Sequence, residues 1–86
     1  MQFNGAVIRE QNVTFAIVVV KPHVIHSKQE AENALQSFGP VFGGIPIVLM
    51  AQDNRGRPAY LGRPDISRFL SRVPIHRIPW KKYTLN

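Results

Sequence analysis

Two stretches that are apolar on both faces constrain the fold of this chain most. Residues 13–20 read VTFAIVVV and residues 46–51 read PIVLMA. Successive side chains of a strand point to opposite faces of a sheet, so an unbroken apolar run is typical of a strand buried on both sides. We therefore predict that these two stretches are neighbouring central strands of one sheet, with Pro46 tolerated because it lies at the beginning of its strand.

Two segments carry the single apolar stripe of a surface helix. Residues 28–38 follow Ser27, which has the spacing of a capping box with Glu30, and they end before a glycine-proline pair. Residues 65–73 begin at Asp65, the expected cap, and stop before a proline. We expect both helices to lie on the same face of the sheet and to bury four side chains: Leu35, Phe38, Phe69 and Leu70.

Turn residues divide the rest of the chain into shorter strands. A first strand precedes a turn near Gln11 and Asn12, and the sequence DNRG turns the chain into an edge strand over residues 57–62. The predicted class is α+β, a two-layer sandwich of ββαββα order with a four-stranded mixed sheet. Residues 1–74 form that domain, and residues 75–86 are either a fifth strand or a basic tail packed on it.

Composition restricts the chemistry that is open to this chain. Its 86 residues include no cysteine, which excludes disulfides and thiolate catalysis and fits a reducing compartment. The apolar run from Phe15 to Val20 is far shorter than the roughly 20 residues of a membrane helix, and the first ten residues lack the order of a signal peptide. We expect a soluble, cytoplasmic protein without a membrane partner.

Positive charge is concentrated in the second part of the chain. Residues 55–86 contain eight cations against Asp65 alone, whereas residues 1–54 contain three cations and four anions. Such a distribution favours anionic partners, nucleic acid above all, because cations neutralise phosphates and accelerate encounter. The predicted polyanion-binding residues are Arg55, Arg57, Arg63, Arg68, Arg72, Arg77, Lys81 and Lys82.

Within this basic region, Arg68 and Arg72 are four residues apart on the second predicted helix, so their guanidinium groups should project side by side. Trp80 and Tyr83 flank two lysines, and aromatic rings alternating with cations are typical of single-strand binding by stacking. The alternative for Trp80 is a lid over the core.

Two other functions stay open at this point. The domain could mediate protein interaction or form a homo-oligomer through a sheet edge, the charge being incidental. Arginines 55, 57, 63, 68 and 72 on one continuous surface would favour the polyanion function, and their scatter would favour the interaction function.

No pattern in the sequence indicates an enzyme, a metal site or a cofactor. His23, His26 and Glu30 could be imagined as metal ligands, but Glu30 is explained by the capping box and both histidines fall in a polar loop. No serine or carboxylate stands at a spacing typical of hydrolytic catalysis. We therefore expect a non-catalytic protein.

Residues 43–73 resemble the closing half of a thioredoxin-like domain. The strand that opens with Pro46, the returning strand and the glycine before the last helix carry this resemblance. It implies a thioredoxin-like fold in which Pro46 is cis. Because the chain has no cysteine, the redox activity of that family is not implied.

Overall fold

The structure is a computed structural model, which describes residues 1–10 and 12–85. The described residues form five strands, three α-helices and two 3₁₀ turns. In chain order they are β1 Gln2–Glu10, β2 Val13–Val19, α1 Pro22–His26, α2 Lys28–Phe38, a 3₁₀ turn Gly39–Phe42, β3 Ile47–Gln52, β4 Pro58–Leu61, α3 Pro64–Leu70, a 3₁₀ turn Ile75–Arg77 and β5 Lys81–Thr84.

The strands form one five-stranded mixed sheet in the order β4-β3-β2-β1-β5. Strands β2 and β3 are parallel, with Ile17 opposite Val48, and the other three pairs are antiparallel. The α+β class, the ββαββα order and the two neighbouring central strands are confirmed. Residues 81–84 add a fifth strand, which pairs with residues 2–5 of β1.

The two main helices lie on opposite faces of the sheet, so the prediction that they share one face is wrong. Ala31 and Phe38 of α2 pack with Val18 and Leu49. On the other face, α3 packs its apolar residues against Phe15, Ile17, Val48 and Met50. Each central strand alternates between the two clusters, and the molecule is therefore layered as helix, sheet, helix.

Topology and burial both explain this arrangement. Helix α2 connects the parallel strands β2 and β3 and crosses one face. The chain must then travel from β4, at one edge, to β5, at the other. Since α2 already covers the first face, α3 crosses the second, and both faces of the doubly apolar central strands are removed from water.

Burial follows the expected stripes only in part. Phe38 and Leu70 are buried, at 6% and 0% exposure, as expected. Leu35 and Phe69 pack at the margins of their clusters and are only partly buried. A single short helix covers the middle of a sheet face, which leaves side chains on its flanks half exposed.

Two predicted helix starts turn out differently. The Ser27 hydroxyl accepts a hydrogen bond from the backbone nitrogen of Glu30 at 3.3 Å, which confirms the cap of α2. Asp65, in contrast, does not cap α3: the residue at the N-cap is Arg63, whose side chain makes no capping hydrogen bond to the helix backbone. Pro64 occupies the first helical position, where its missing N–H costs nothing.

Three further expectations concern loops. The predicted loop that holds His23 and His26 is the short helix α1, which Pro22 begins. The turn between β1 and β2 includes Asn12, which has a φ of 65°, whereas Gln11 lies outside the described residues.

No cis peptide bond occurs in residues 1–10 and 12–85, so the cis conformation that the thioredoxin-like resemblance implied for Pro46 is wrong.

Candidate functional site

Arg68 and Arg72 line one shallow cleft on the outer side of α3, as their spacing predicted. The cleft has a volume of about 210 Å³, and its other walls are Asp65 and Phe69. The Nε of Arg68 donates to the carbonyl oxygen of Pro64 at 3.4 Å. Neither arginine forms an ion pair with any residue of the described chain. Two exposed guanidinium groups therefore border the same concavity.

The carboxylate in this cleft is already engaged by another arginine. Arg63 donates from Nε and Nη2 to the two oxygens of Asp65, at 3.1 and 2.7 Å. This contact holds the pKa of Asp65 below its ordinary value and raises that of Arg63. Because the pair is neutral as a unit, Arg68 and Arg72 set the net charge of the cleft.

Arg55 and Arg57 lie in the turn between β3 and β4. One oxygen of Asp53 accepts the backbone N–H groups of both arginines at 2.9 Å, and the other accepts Nε of Arg57 at 3.0 Å. The pKa of Asp53 is lowered, chiefly by the backbone N–H of Arg57. Arg57 thus has a structural role in the turn, and Arg55 forms no ion pair with a described residue.

The arginines divide into two groups at opposite ends of β4. Arg55 and Arg57 precede Pro58, and Arg63 follows Leu61 and Gly62. The four residues of the strand alone separate them by about 13 Å. The structure brings Arg63, Arg68 and Arg72 together around Asp65, and it does not bring all five arginines onto one continuous surface.

The remaining predicted cations lie toward the other edge of the sheet. Lys81 and Lys82 are exposed on β5, four strands away from β4, which is about 19 Å at ordinary strand spacing. Tyr83 packs on the α2 face, so alternation places Lys82 on the α3 face and Lys81 on the α2 face. Arg77 belongs to the 3₁₀ turn Ile75–Arg77, and both Ile75 of this turn and Ile78 directly after it pack in the α3 cluster.

Trp80 and Tyr83 pack into different clusters. The Nε1 of Trp80 donates to the carbonyl oxygen of Ile75 at 2.9 Å, and its ring contacts the α3 cluster. Tyr83 stacks on Phe3 on the opposite face, with ring centroids 5.5 Å apart and an interplanar angle of 16°. The two rings therefore do not form a common stacking platform, and a stacking role for either one is a prediction that competes with its packing.

Glu30 has a contact that the capping box did not foresee. Its carboxylate oxygens lie 3.2 and 3.1 Å from Nδ1 of His23, which links α1 to α2 on an exposed surface. His26 instead lines a groove beside β4. Among residues 1–10 and 12–85, no three histidine or carboxylate side chains are close enough together to hold a metal ion.

Two surface depressions beside α2 were not anticipated from the sequence. Toward β1 and β5 lies a cleft of about 670 Å³, whose walls include Phe3, Val20, Val24 and Phe38. Toward β4, Lys28, Ala31, Glu32 and Leu35 face Leu61 across a groove of about 500 Å³. The sequence does indicate that residues 28, 31, 32 and 35 lie on one side of the helix. It does not indicate that the sheet extends beyond the helix on that side.

Comparison with known protein families, with curated proteins and with solved structures finds no match to this chain. None of the helices in residues 1–10 and 12–85 has the length and apolarity needed to cross a membrane.

Proposed function

We propose that this protein is a small non-catalytic domain that binds nucleic acid through cations on its α3 face. The five predicted arginines do not share one continuous surface, so the observation that carries the proposal is the smaller cleft that Arg68 and Arg72 share, where neither pairs with a described carboxylate. Two more exposed cations on this face lack such a partner as well. We call the set the α3-face cations: Arg68, Arg72, Arg77 and Lys82.

The chemistry of the cleft suits a phosphate. A guanidinium group presents a planar fork of N–H donors that matches phosphate oxygens, and its charge does not titrate near neutral pH. Arg63 already offsets the charge of Asp65, so an incoming anion meets little local repulsion. The eight cations of residues 55–86 also raise the encounter rate with a polyanion.

Sequence specificity is expected to be low. Phosphate contacts fix position but carry no base information, and the sequence contains no motif typical of base reading. Phe69 borders the cleft, but its ring packs edge-on against Phe15 at 6.4 Å and an angle of 79°. Phe69 therefore forms one wall of the cleft, and recognition of the phosphate depends on the two arginines.

A salt titration tests the proposal. Binding of fluorescein-labelled double-stranded and single-stranded oligonucleotides should be measured between about 50 and 300 mM salt. If the four α3-face cations each neutralise one duplex phosphate, log affinity should fall with log salt at a slope near −3.6. The double substitution Arg68→Gln and Arg72→Gln should flatten this slope by about 1.8.

A charge-matched control separates a site from a general effect of net charge. Arg9→Gln with Lys21→Gln removes the same two charges from elsewhere on the surface and should leave the slope nearly unchanged. Arg55→Gln, measured in the same assay, shows whether the arginines that precede β4 contribute to binding. Absence of binding at low salt, or equal losses in the two double variants, would overturn the proposal.

A further inference from the structure

We propose that a second cavity on the α3 face binds one unpaired guanine base of a strand whose phosphate is held in the cleft of Arg68 and Arg72. Because its phosphate contact is that cleft, the base site depends on the proposed function, and it adds a preference at one position to an otherwise low specificity. We call this cavity the base pocket. Its walls are Glu10, Val13, Phe15, Asp65, Ile66 and Phe69.

The base pocket adjoins the arginine cleft across a ridge on α3. It has a volume of about 260 Å³ and shares Asp65 and Phe69 with the cleft. These two residues are four apart, so they form one row along the helix. Arg68 follows Asp65 by three residues, which places their β-carbons about 5–6 Å apart, and the N–H of Arg72 donates to the carbonyl oxygen of Phe69 at 3.1 Å. A nucleotide can therefore cross the ridge, with its phosphate at the arginines and its base in the pocket.

The walls of the base pocket suit a flat ring. Phe15 and Ile66 are buried, and Val13 and Phe69 pack against them from partly buried positions. The volume lies just below the roughly 300–1,000 Å³ of pockets for drug-sized ligands, which suits a single base. Unpaired bases are commonly held against aromatic and apolar side chains while their edges form hydrogen bonds.

Glu10 supplies the hydrogen-bond acceptor in this pocket. It lies at the end of β1 opposite Val13, and with Ile8 it belongs to the face that α3 covers. The other carboxylate, Asp65, is held by Arg63, whereas Glu10 forms no ion pair with a residue of the described chain. An ionised carboxylate accepts hydrogen bonds at two oxygens and donates none. The best-matched ligand therefore presents two neighbouring donors to Glu10.

Guanine meets this requirement better than the other bases. Its Watson–Crick edge carries the N1–H and the N2 amino group side by side, which match the two oxygens of a carboxylate. Adenine and cytosine place an unprotonated ring nitrogen beside their amino group, and thymine and uracil have a single N–H between two carbonyls. Each of these would set an acceptor against Glu10. The Watson–Crick edge is free only in an unpaired strand, so the site selects single-stranded nucleic acid.

Charge argues against a basic peptide in the same pocket. A lysine or arginine of a partner protein would also satisfy Glu10, but it would add positive charge to the face that holds Arg68 and Arg72. The donors of guanine are neutral, and the phosphate of the same nucleotide complements the arginines. One nucleotide thus matches both the carboxylate and the cations, which a basic side chain does not.

Four single-stranded probes test the assignment. They are fluorescein-labelled oligothymidylates of equal length whose central nucleotide is guanine, inosine, adenine or thymine. The guanine probe should bind about tenfold or more tightly than the adenine and thymine probes. Inosine keeps N1–H but lacks the amino group, so its probe should fall between them. Annealing each probe to its complement should remove these differences, because pairing occupies the Watson–Crick edge.

Matched variants locate the preference. Glu10→Gln should abolish the preference for guanine, yet bind the thymine probe at least as tightly as the wild type, because it removes a negative charge. Glu32→Gln removes the same charge from α2, on the other face, and should keep the preference. Guanosine monophosphate should shift the amide signals of Glu10, Val13 and Phe69 in ¹⁵N-labelled wild type. Each variant should first be shown to be folded by its amide spectrum.

Equal affinity for the four probes, or a guanine preference that survives Glu10→Gln, would overturn the base pocket and leave salt-dependent binding through the arginines intact. An end-blocked arginine that displaces the guanine probe at lower concentration than guanosine monophosphate does would overturn it in favour of a protein side chain. Absence of binding by every probe at low salt would instead overturn the proposed function, and the base pocket with it.

Discussion

Gly62 lies so close to Val48 that a Cβ at position 62 would be 2.8 Å from Cγ2 of Val48 and 3.1 Å from its Cα. The backbone carbonyl of Ile47 would be only 3.2 Å away. Part of this environment is backbone and cannot rotate aside. The chain therefore needs glycine at the point where β4 ends and leads into α3.

The first prediction follows from this contact. Gly62→Ala should destabilise the protein by about 1–3 kcal/mol, since the added methyl group forces neighbouring atoms to move. Gly39→Ala is the comparison, because a Cβ at Gly39 meets no atom within 4 Å. Its cost should be smaller, although the following Pro40 disfavours helical backbone for alanine. Urea denaturation of both variants measures the difference, and equal costs would refute the explanation.

A second prediction compares the same substitution at two depths. Leu70 is fully buried under the sheet, at 0% exposure, whereas Leu35 is only partly buried on the flank of α2. Leu70→Ala should cost about 2–5 kcal/mol through lost burial and the resulting cavity. Leu35→Ala should cost clearly less, because water and neighbouring side chains can occupy the vacated space. Thermal and urea unfolding would contradict this if the two losses were equal.

The third prediction concerns acid. The pKa values of Asp53 and Asp65 both lie below the ordinary value of 3.8 in the folded protein. The unfolded chain then binds protons more readily, so these groups stabilise the fold above about pH 4 and lose that effect as the pH falls further. Stability should be nearly constant from pH 7 to 5 and then decline below about 4.

Asp53→Asn tests the source of this decline. Asparagine retains an oxygen that can accept the N–H groups of Arg55 and Arg57, but it carries no charge. The variant should therefore lose less stability between pH 5 and 3 than the wild type does. A decline as steep as that of the wild type would assign the acid sensitivity to other carboxylates.

A fourth prediction decides between packing and stacking for Trp80. Because Nε1 donates to Ile75 at 2.9 Å from a partly buried position, Trp80→Phe should cost about 0.5–1.5 kcal/mol of stability. Its affinity for single-stranded oligonucleotides should stay within about twofold of the wild type. A loss of about 1–3 kcal/mol in binding, the usual contribution of one stacked base, would instead establish Trp80 as a stacking residue.

Local patterns predicted the elements well because their causes are local. The capping contact of Ser27 with Glu30 and the turn closed by Asp53 both arise within four residues. The doubly apolar strands also implied cover on both faces of the sheet, and in this respect the sequence already contradicted the same-face expectation. The path of the chain after β4 depends on strand order rather than on any local pattern.

Only the part of the candidate site that depends on residues close together in the sequence could be predicted. The four-residue spacing of Arg68 and Arg72 was enough to place both on one cleft. The engagement of Arg63 by Asp65, and of Arg57 by Asp53, depends on side-chain geometry that spacing alone does not determine. The groove along β4 depends on how far the sheet extends past α2, which no single segment encodes.

The pairing of β1 with β5 has a consequence for the order in which this protein can fold during synthesis. Gln2 lies opposite Thr84, and the N–H of Leu85 donates to the carbonyl of Met1 at 2.7 Å. Contacts between such distant parts of a sequence slow folding, because a long loop must close before they form. Until Thr84 has left the ribosome, the outer edge of β1 has no partner over residues 2–5, and the nascent chain exposes there a strand that other chains could pair with.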